Sequence, residues 1–339
     1  MKYIIFALHG YLELFKRKEG KTLFEYAKKY NFENFMENGR WGYLLFDKSL
    51  EKSYFKFFCS DKDFPGVSFL RALRYKIKIN KNDVFWLGEF VFSFNNKIIE
   101  TEINLNPNEK KVLLEEIKKQ NGFEFYIFEK DIILKFLEQL PRIENNFPNR
   151  IKNQKIDNIL FKQKSFEKLN KLMKESLDIL NNHPINKVRL DLNEPAANFL
   201  YFFGMGKYEE KVDLKEIIRK KIFYFSEKNI LDGLVEFFRI EKTGEIFDIK
   251  DECIYWFDFF LDCKTGPSIW VKNFEIFSND FLGKIPFRQD ARFLFVFDPF
   301  IDENKEYEKT TSLFLAVNFP NRLKNKYKKS SLLFEKFIE

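Results

Sequence analysis

The chain of 339 residues contains only two histidines, His9 and His183, and three cysteines. Histidine is the commonest nitrogen ligand for metals and the side chain that titrates nearest neutral pH. Two of them, far apart in sequence, exclude a binuclear centre built on several imidazoles. Cys59, Cys253 and Cys263 form no CxxC pair and leave one over. That excludes the usual disulfide framework and points to a cytosolic location. No stretch reaches the roughly 20 apolar residues of a membrane span, and the Phe-rich run Ile254–Leu261 is interrupted by Asp258. The opening run Tyr3–Leu8 is too short for a secretory leader and lacks a small-residue cleavage site, so it reads as a buried strand. A soluble chain without a membrane partner is expected.

Aromatic side chains, by contrast, are abundant. They make up 19% of the residues, with 45 phenylalanines, in a chain that is 45% apolar and 32% charged. This is neither a disordered nor a collagen-like composition, and the length allows one large or two ordinary domains. The Phe excess is read as core and interface packing, since the ring buries a large area and has no polar group to satisfy. Net charge is +7, with basic and acidic residues interspersed. The densest basic cluster, Arg322, Lys324, Lys326, Lys328 and Lys329, reads as a solvated terminal face, and no nucleic-acid partner is expected.

Strand and helix signals alternate from the start, the pattern of an α/β protein with a mainly parallel sheet flanked by helices. Tyr3–Leu8 is apolar throughout, as in a strand buried on both faces, and residues 21–37 show helical spacing before Gly39 and a strand over 41–46. Residues 83–94 and 97–101 flank Asn95-Asn96 as a hairpin. Asn106-Pro107 then opens a helix to about Gln120, and 123–128 and 132–136 are further strands. Residues 142–164 lack periodicity and read as a linker, followed by an amphipathic helix over 165–180. Strands at 198–203, 223–225, 253–260 and 293–297 and helices at 229–239 and 268–281 complete the pattern. The domain reading is a core of 1–80 and 165–339 with a small α+β insertion at 81–164.

Few constellations suggest chemistry. Gly204-Met205-Gly206-Lys207 after a strand would present backbone N–H groups and an ammonium to a phosphate, but it matches neither the Walker nor the dinucleotide pattern, and a plain glycine turn is the alternative. His9-Gly10 ends the first strand, where open α/β sheets bind ligands, although a hydrogen-bonded structural histidine is the plainer reading. His183 between Asn182 and Pro184 is read as a cap on the carbonyls of a helix end. Asp258, Asp262 and Cys263 lack a second cluster of His or Cys that would complete a metal site, while Asp298, Asp302 and Glu303 are oxygen-only and suit a hard cation without specificity.

The ordered segments resemble the archaeal-type, cofactor-independent phosphoglycerate mutase family of the alkaline-phosphatase superfamily. The resemblance is carried by Leu172–Ser176 running into Ile179–Asn186, with its His183-Pro184-Ile185-Asn186, then Pro195–Asn198 and Gly204-Met205-Gly206-Lys207. Gly20-Lys21-Thr22-Leu23, Glu124-Phe125-Tyr126 and Asn229–Gly233 are similar to other family segments in the same order. The resemblance implies an alkaline-phosphatase-like core and places Asn198, Gly204, Gly206 and Lys207 as ligand-binding residues. It also implies two divalent ions held by Asp and His and a serine that accepts the phosphoryl group.

Against that pattern many positions differ. His9-Gly10-Tyr11 stands where the resemblance implies a ligand Asp, Phe259 and Cys263 where it implies Asp and His, Pro299 where it implies His, and Glu308 where it implies the last His. Asp298 is retained. Ser49 is the nearest match to the nucleophile without its flanking Gly and Asp, and Leu87 and Glu89 stand where an Arg and an Asn bind substrate. Loss of so many charges leaves no evident phosphoryl-transfer route. The sequence therefore leads to the expectation of a non-catalytic interaction or scaffold protein with an exposed Phe-rich patch, paired with a protein partner or a second copy, and with no cofactor. Vestigial catalytic candidates are His9, Ser49 and Asp298. The alternatives are a mutase-like phosphotransferase or phosphatase with a Mn or Mg site rearranged around His9, Cys263, Asp298 and Glu308, and a sensor of a phosphorylated small molecule.

Overall fold

The structure is a computed structural model that describes all residues except 16, 19–20, 30, 48, 60–61, 122, 129, 139, 227, 245–248, 251, 261–266, 286–289, 299–310, 320–325, 328–329 and 339. The chain divides into two compact units. The first comprises Met1–Phe64, Glu210–Glu303 and Tyr307–Glu339, and the second comprises Pro65–Glu209 with Asn304–Glu306.

The first unit is built on an eight-stranded sheet. Its strands run in the order Glu241–Lys242, Lys221–Ser226, Cys253–Phe260, Lys2–His9, Ala291–Asp298, Thr311–Val317, Gly39–Leu45 and Lys326–Tyr327. The first five are mutually parallel, and Thr311–Val317 is antiparallel to both neighbours. This is the mainly parallel sheet the alternation predicted. Residues in register across parallel strands point to the same face, and successive residues alternate faces. One face thus carries Phe6, Phe257, Phe295, Phe293 and Phe297, all buried. Phe6 stacks on Phe295 at 4.6 Å and on Phe257 at 5.5 Å, and Phe32, Phe35 and Phe274 close over them from the helical side. Each such ring contributes about 1.5–3 kcal/mol by burial. The opposite face holds Trp256 against Tyr54 and Phe58 of the helix Leu50–Phe58, which also meets Phe334 of the helix Ser330–Ile338 through Phe57. The predicted helix over 21–37 is two short ones, Leu23–Tyr26 and Phe32–Glu37, because Ala27 turns extended at its cap.

The second unit is an antiparallel sheet with helices. Val84–Phe94 pairs with Lys97–Glu100, with Ile132–Phe136 and, along its other edge, with Phe199–Lys207, while Glu124–Ile127 extends the sheet beyond Ile132–Phe136. Asn95 and Asn96 both adopt positive φ, 49° and 58°, the requirement of a tight hairpin turn. The helix Pro107–Asn121 opens with reciprocal hydrogen bonds between Asn106 and Glu109 at 2.9 and 3.0 Å. Residues 65–80 and 165–209 belong to this unit rather than to the core assigned from sequence: Phe199–Lys207 shares hydrogen bonds with Val84–Phe94, and the helices Val67–Arg74 and Glu167–Asn181 pack on it. The predicted linker holds two short turns of helix, Pro148–Arg150 and Ile156–Ile159. Among the described residues no helix is long and apolar enough to cross a membrane.

Candidate functional site

Open α/β sheets place ligands beyond the carboxyl ends of their parallel strands. At that end of the first unit's sheet, His9 lies in register with Asp298, and Asp258 lies in register with Ala7, two residues earlier on the same strand. Shared register and the two-residue repeat put His9, Asp258 and Asp298 on one face. The His9 Nδ1 is 2.8 Å from Asp298 Oδ2, and its Nε2 hydrogen-bonds Asp258 Oδ1. Tyr54 donates its hydroxyl to Asp298 Oδ2 at 2.8 Å, and Tyr224 donates to Asp258 Oδ2 at 2.8 Å. The Tyr54 ring also meets His9 edge-on at 5.1 Å. All five side chains are buried.

Burial alone would strip the charge from His9. The Asp258 and Asp298 carboxylates outweigh it, through charge and hydrogen bonds, and raise the imidazole pKa from 6.5 to about 10. An ionised carboxylate can only accept, so a ring flanked by two of them donates from both nitrogens. Burial and then the neighbouring carboxylates push the Tyr54 and Tyr224 hydroxyls well above their ordinary values, so both stay protonated donors.

The residues singled out from sequence divide sharply. His9 and Asp298 meet directly, whereas Cys263 and Glu308, like Asp262, Asp302 and Glu303, lie outside the described residues. Ser49 is a helix cap: its buried Oγ accepts from the Lys52 amide at 3.4 Å at the start of Leu50–Phe58. Asn198, in the second unit, is spent internally, with Oδ1 accepting from the Ser93 amide at 2.8 Å and Nδ2 donating to the Ser93 carbonyl at 2.9 Å. Gly204 to Lys207 form neither a turn nor a phosphate loop but the end of a strand paired with Val84–Phe94. A Cβ on Gly206 would lie 2.3 Å from the Phe69 backbone nitrogen, which accounts for that glycine by close packing of Val67–Arg74. His183 caps the following helix instead of the preceding one: its Nδ1 accepts from the Ile185 amide at 3.2 Å, and burial lowers its pKa in keeping with a neutral acceptor. Leu87 is buried in the core of its strand.

Tyr54, Tyr224 and the pairing of Asp258 with His9 are absent from the sequence-level site. One signal was available: an acid inside the apolar strand Cys253–Phe260 needs a partner if the strand is buried. The resemblance implies divalent ions, but the described residues do not fit them. Both His9 nitrogens face carboxylates, each carboxylate also accepts from a tyrosine, and among the described residues no group of three or more His, Cys, Asp and Glu could hold a metal ion.

A family model described as 2,3-bisphosphoglycerate-independent phosphoglycerate mutase matches residues 58–186. The 2,3-bisphosphoglycerate-independent phosphoglycerate mutase 2 of Methanocaldococcus jannaschii is 26% identical over 291 residues, covering 75% of this chain and 68% of that protein. Over these segments the chain is similar to cofactor-independent phosphoglycerate mutases. A shorter match, 36% identical over 81 residues, covers 22% of this chain and 19% of phosphoglycerate mutase 1 of Methanothermobacter thermautotrophicus. Two solved structures share the fold. A protein from Pyrococcus horikoshii matches with a TM-score of 0.63 at 15% identity, covering 96% of this chain and 89% of its own. The cofactor-independent phosphoglycerate mutase of Thermoplasma acidophilum matches with a TM-score of 0.51 at 16% identity, covering 96% and 91%.

These relatives, named as mutases, overturn the expectation of a non-catalytic scaffold protein and favour its mutase-like alternative. Nor do the described residues show the Phe-rich surface that went with the scaffold reading. Among the described residues Phe94 is the one exposed phenylalanine, and the others are buried or partly buried.

Proposed function

We propose that the chain is a phosphoglycerate-mutase-like phosphotransferase or phosphatase that acts on a phosphorylated small molecule through a centre altered from the family pattern. The observation that carries this reading is the convergence of His9, Asp258 and Asp298 at the carboxyl ends of three adjacent parallel strands. Kinship with proteins named phosphoglycerate mutases supplies the reaction class. Phosphoryl transfer proceeds mainly by positioning and by electrostatic stabilisation. In this chain the two carboxylates hold the His9 ring charged, and Tyr54 and Tyr224 hold the carboxylates, so a fixed cation stands at the strand ends. No step is assigned to a divalent ion. A cytoplasmic location accompanies this reading, in line with the sparse cysteines.

The test is incubation of the purified full chain with 3-phosphoglycerate, followed by phosphorus NMR for 2-phosphoglycerate and inorganic phosphate, in Mn²⁺, Mg²⁺ and EDTA. Turnover is expected, falling ~10²-fold or more in Asp298→Asn, as when a preorganised charged group is removed from a reacting site. Absence of both products under every condition, from protein with intact circular dichroism, overturns the reading.

A further inference from the structure

We infer that the His9 ring is a built-in organic cation that fills the place between the Asp258 and Asp298 carboxylates, so that this centre excludes a divalent metal. The inference goes beyond the proposed activity and stands on geometry in the first unit alone. The imidazole nitrogens lie against one oxygen of each carboxylate, Nδ1 at 2.8 Å from Asp298 and Nε2 in hydrogen-bond contact with Asp258. A divalent ion bound to both carboxylates would sit about 2.0–2.6 Å from their oxygens, in the space the ring occupies. Two buried carboxylates that converge on one point repel each other unless a positive group lies between them. Here the ring is that group.

The surroundings fix this arrangement. Tyr54 and Tyr224 each donate a hydroxyl at 2.8 Å, one to Asp298 and one to Asp258, so the carboxylates have neutral donors as well as the cation. Tyr54 closes on the ring edge-on at 5.1 Å and is itself stacked on Trp256 at 5.7 Å. Trp256 packs on Tyr224 at 4.7 Å, so one aromatic wall holds both tyrosines. Movement of the ring to admit a metal would disrupt this wall. His9 also stands where the family resemblance implies a carboxylate, which makes the exchange reversible by one substitution: His9→Asp removes the cation and leaves three carboxylates in its place.

The experiment measures metal, not turnover, so it can fail or succeed independently of the proposed activity. Equilibrium dialysis of the full chain and of His9→Asp against Mn²⁺ is expected to show one bound ion more per chain in the variant, with a Tm that rises with Mn²⁺. The wild-type Tm is expected to be indifferent to EDTA. A wild-type Mn²⁺ that disappears in Asp298→Asn, or a folded His9→Asp that gains no ion, overturns the inference. Should His9→Asp not fold, the wild-type protein decides the matter through ¹⁵N-labelled histidine. The chain has only two histidines, and His183→Gln assigns the other. Paramagnetic Mn²⁺ at the centre would broaden the His9 ring signals beyond detection, which counts against the inference. Unbroadened signals with both ring nitrogens protonated at pH 8 support it.

Discussion

A buried histidine with a carboxylate on each ring nitrogen is held in its charged form, and the consequence is a pH dependence with a definite sign. Burial disfavours the His9 charge and the two aspartates more than restore it, which lifts the folded pKa from 6.5 to about 10. A group whose pKa is raised on folding contributes stability that is complete below the unfolded value and is lost as pH climbs through the folded one. The unfolding free energy from urea titration should therefore decline across pH 6.5 to 10, by about 1.4 kcal/mol per pH unit if His9 acts alone. A His9→Gln variant should be flat in that window, and equal slopes in the two proteins would refute the assignment. At this scale the sequence was half legible. His9 stood out through the rarity of its type and Asp298 through the resemblance. Asp258 was seen but not joined to them, because only the pairing of Cys253–Phe260 with Lys2–His9 brings it there.

Among the elements, the buried parallel strands were the most legible, since a strand covered on both faces must be apolar along its whole length. Lys2–His9, Cys253–Phe260 and Ala291–Asp298 all show that run. The helix Leu50–Phe58 was missed: its apolar residues crowd at 54, 55, 57 and 58 because nearly every side of it is covered. Gly204–Lys207 misled in the other direction, since two glycines after a strand resemble a phosphate loop. Gly206 answers instead to the approach of a neighbouring helix, and Gly204 to its positive φ of 63°. A Cβ on Gly66 would lie 2.1 Å from the Met205 carbonyl oxygen, and one on Gly206 would meet backbone as well as the Phe69 side chain. Backbone cannot step aside as a flexible side chain can, so Gly206→Ala should destabilise the second unit by at least the ~1–3 kcal/mol of an overpacked core. Chemical denaturation followed by far-UV circular dichroism reads this directly. An unchanged midpoint would mean that the Gly206 contact does not confine the helix Val67–Arg74.

At the scale of the whole molecule, the alternation of strand and helix announced the α/β class, but the boundaries between units were not legible. Strand partnership over long sequence distance is set by shape and register, which composition does not record. Phe199–Lys207 reads as one more buried strand, yet it pairs with Val84–Phe94 and takes residues 165–209 into the second unit. That unit is drawn from one continuous stretch, Pro65–Glu209, apart from Asn304–Glu306, while the first is assembled from three separated segments. The continuous unit also closes its own core: Trp86, Phe85, Leu134, Leu169, Met173 and Phe202 are all buried. Its buried Arg71–Asp131 pair, at 2.6 Å, is completed by the Tyr75 hydroxyl at 2.6 Å, so the charge is matched within the same stretch. A domain with its own core and satisfied buried charges can fold alone. Residues 65–209 expressed by themselves should therefore unfold cooperatively on heating and in urea. Residues 1–64, which hold Lys2–His9 but neither strand that flanks it in the sheet, should not. A non-cooperative melt or a coil-like circular dichroism spectrum for 65–209 would show that the unit depends on the rest of the chain.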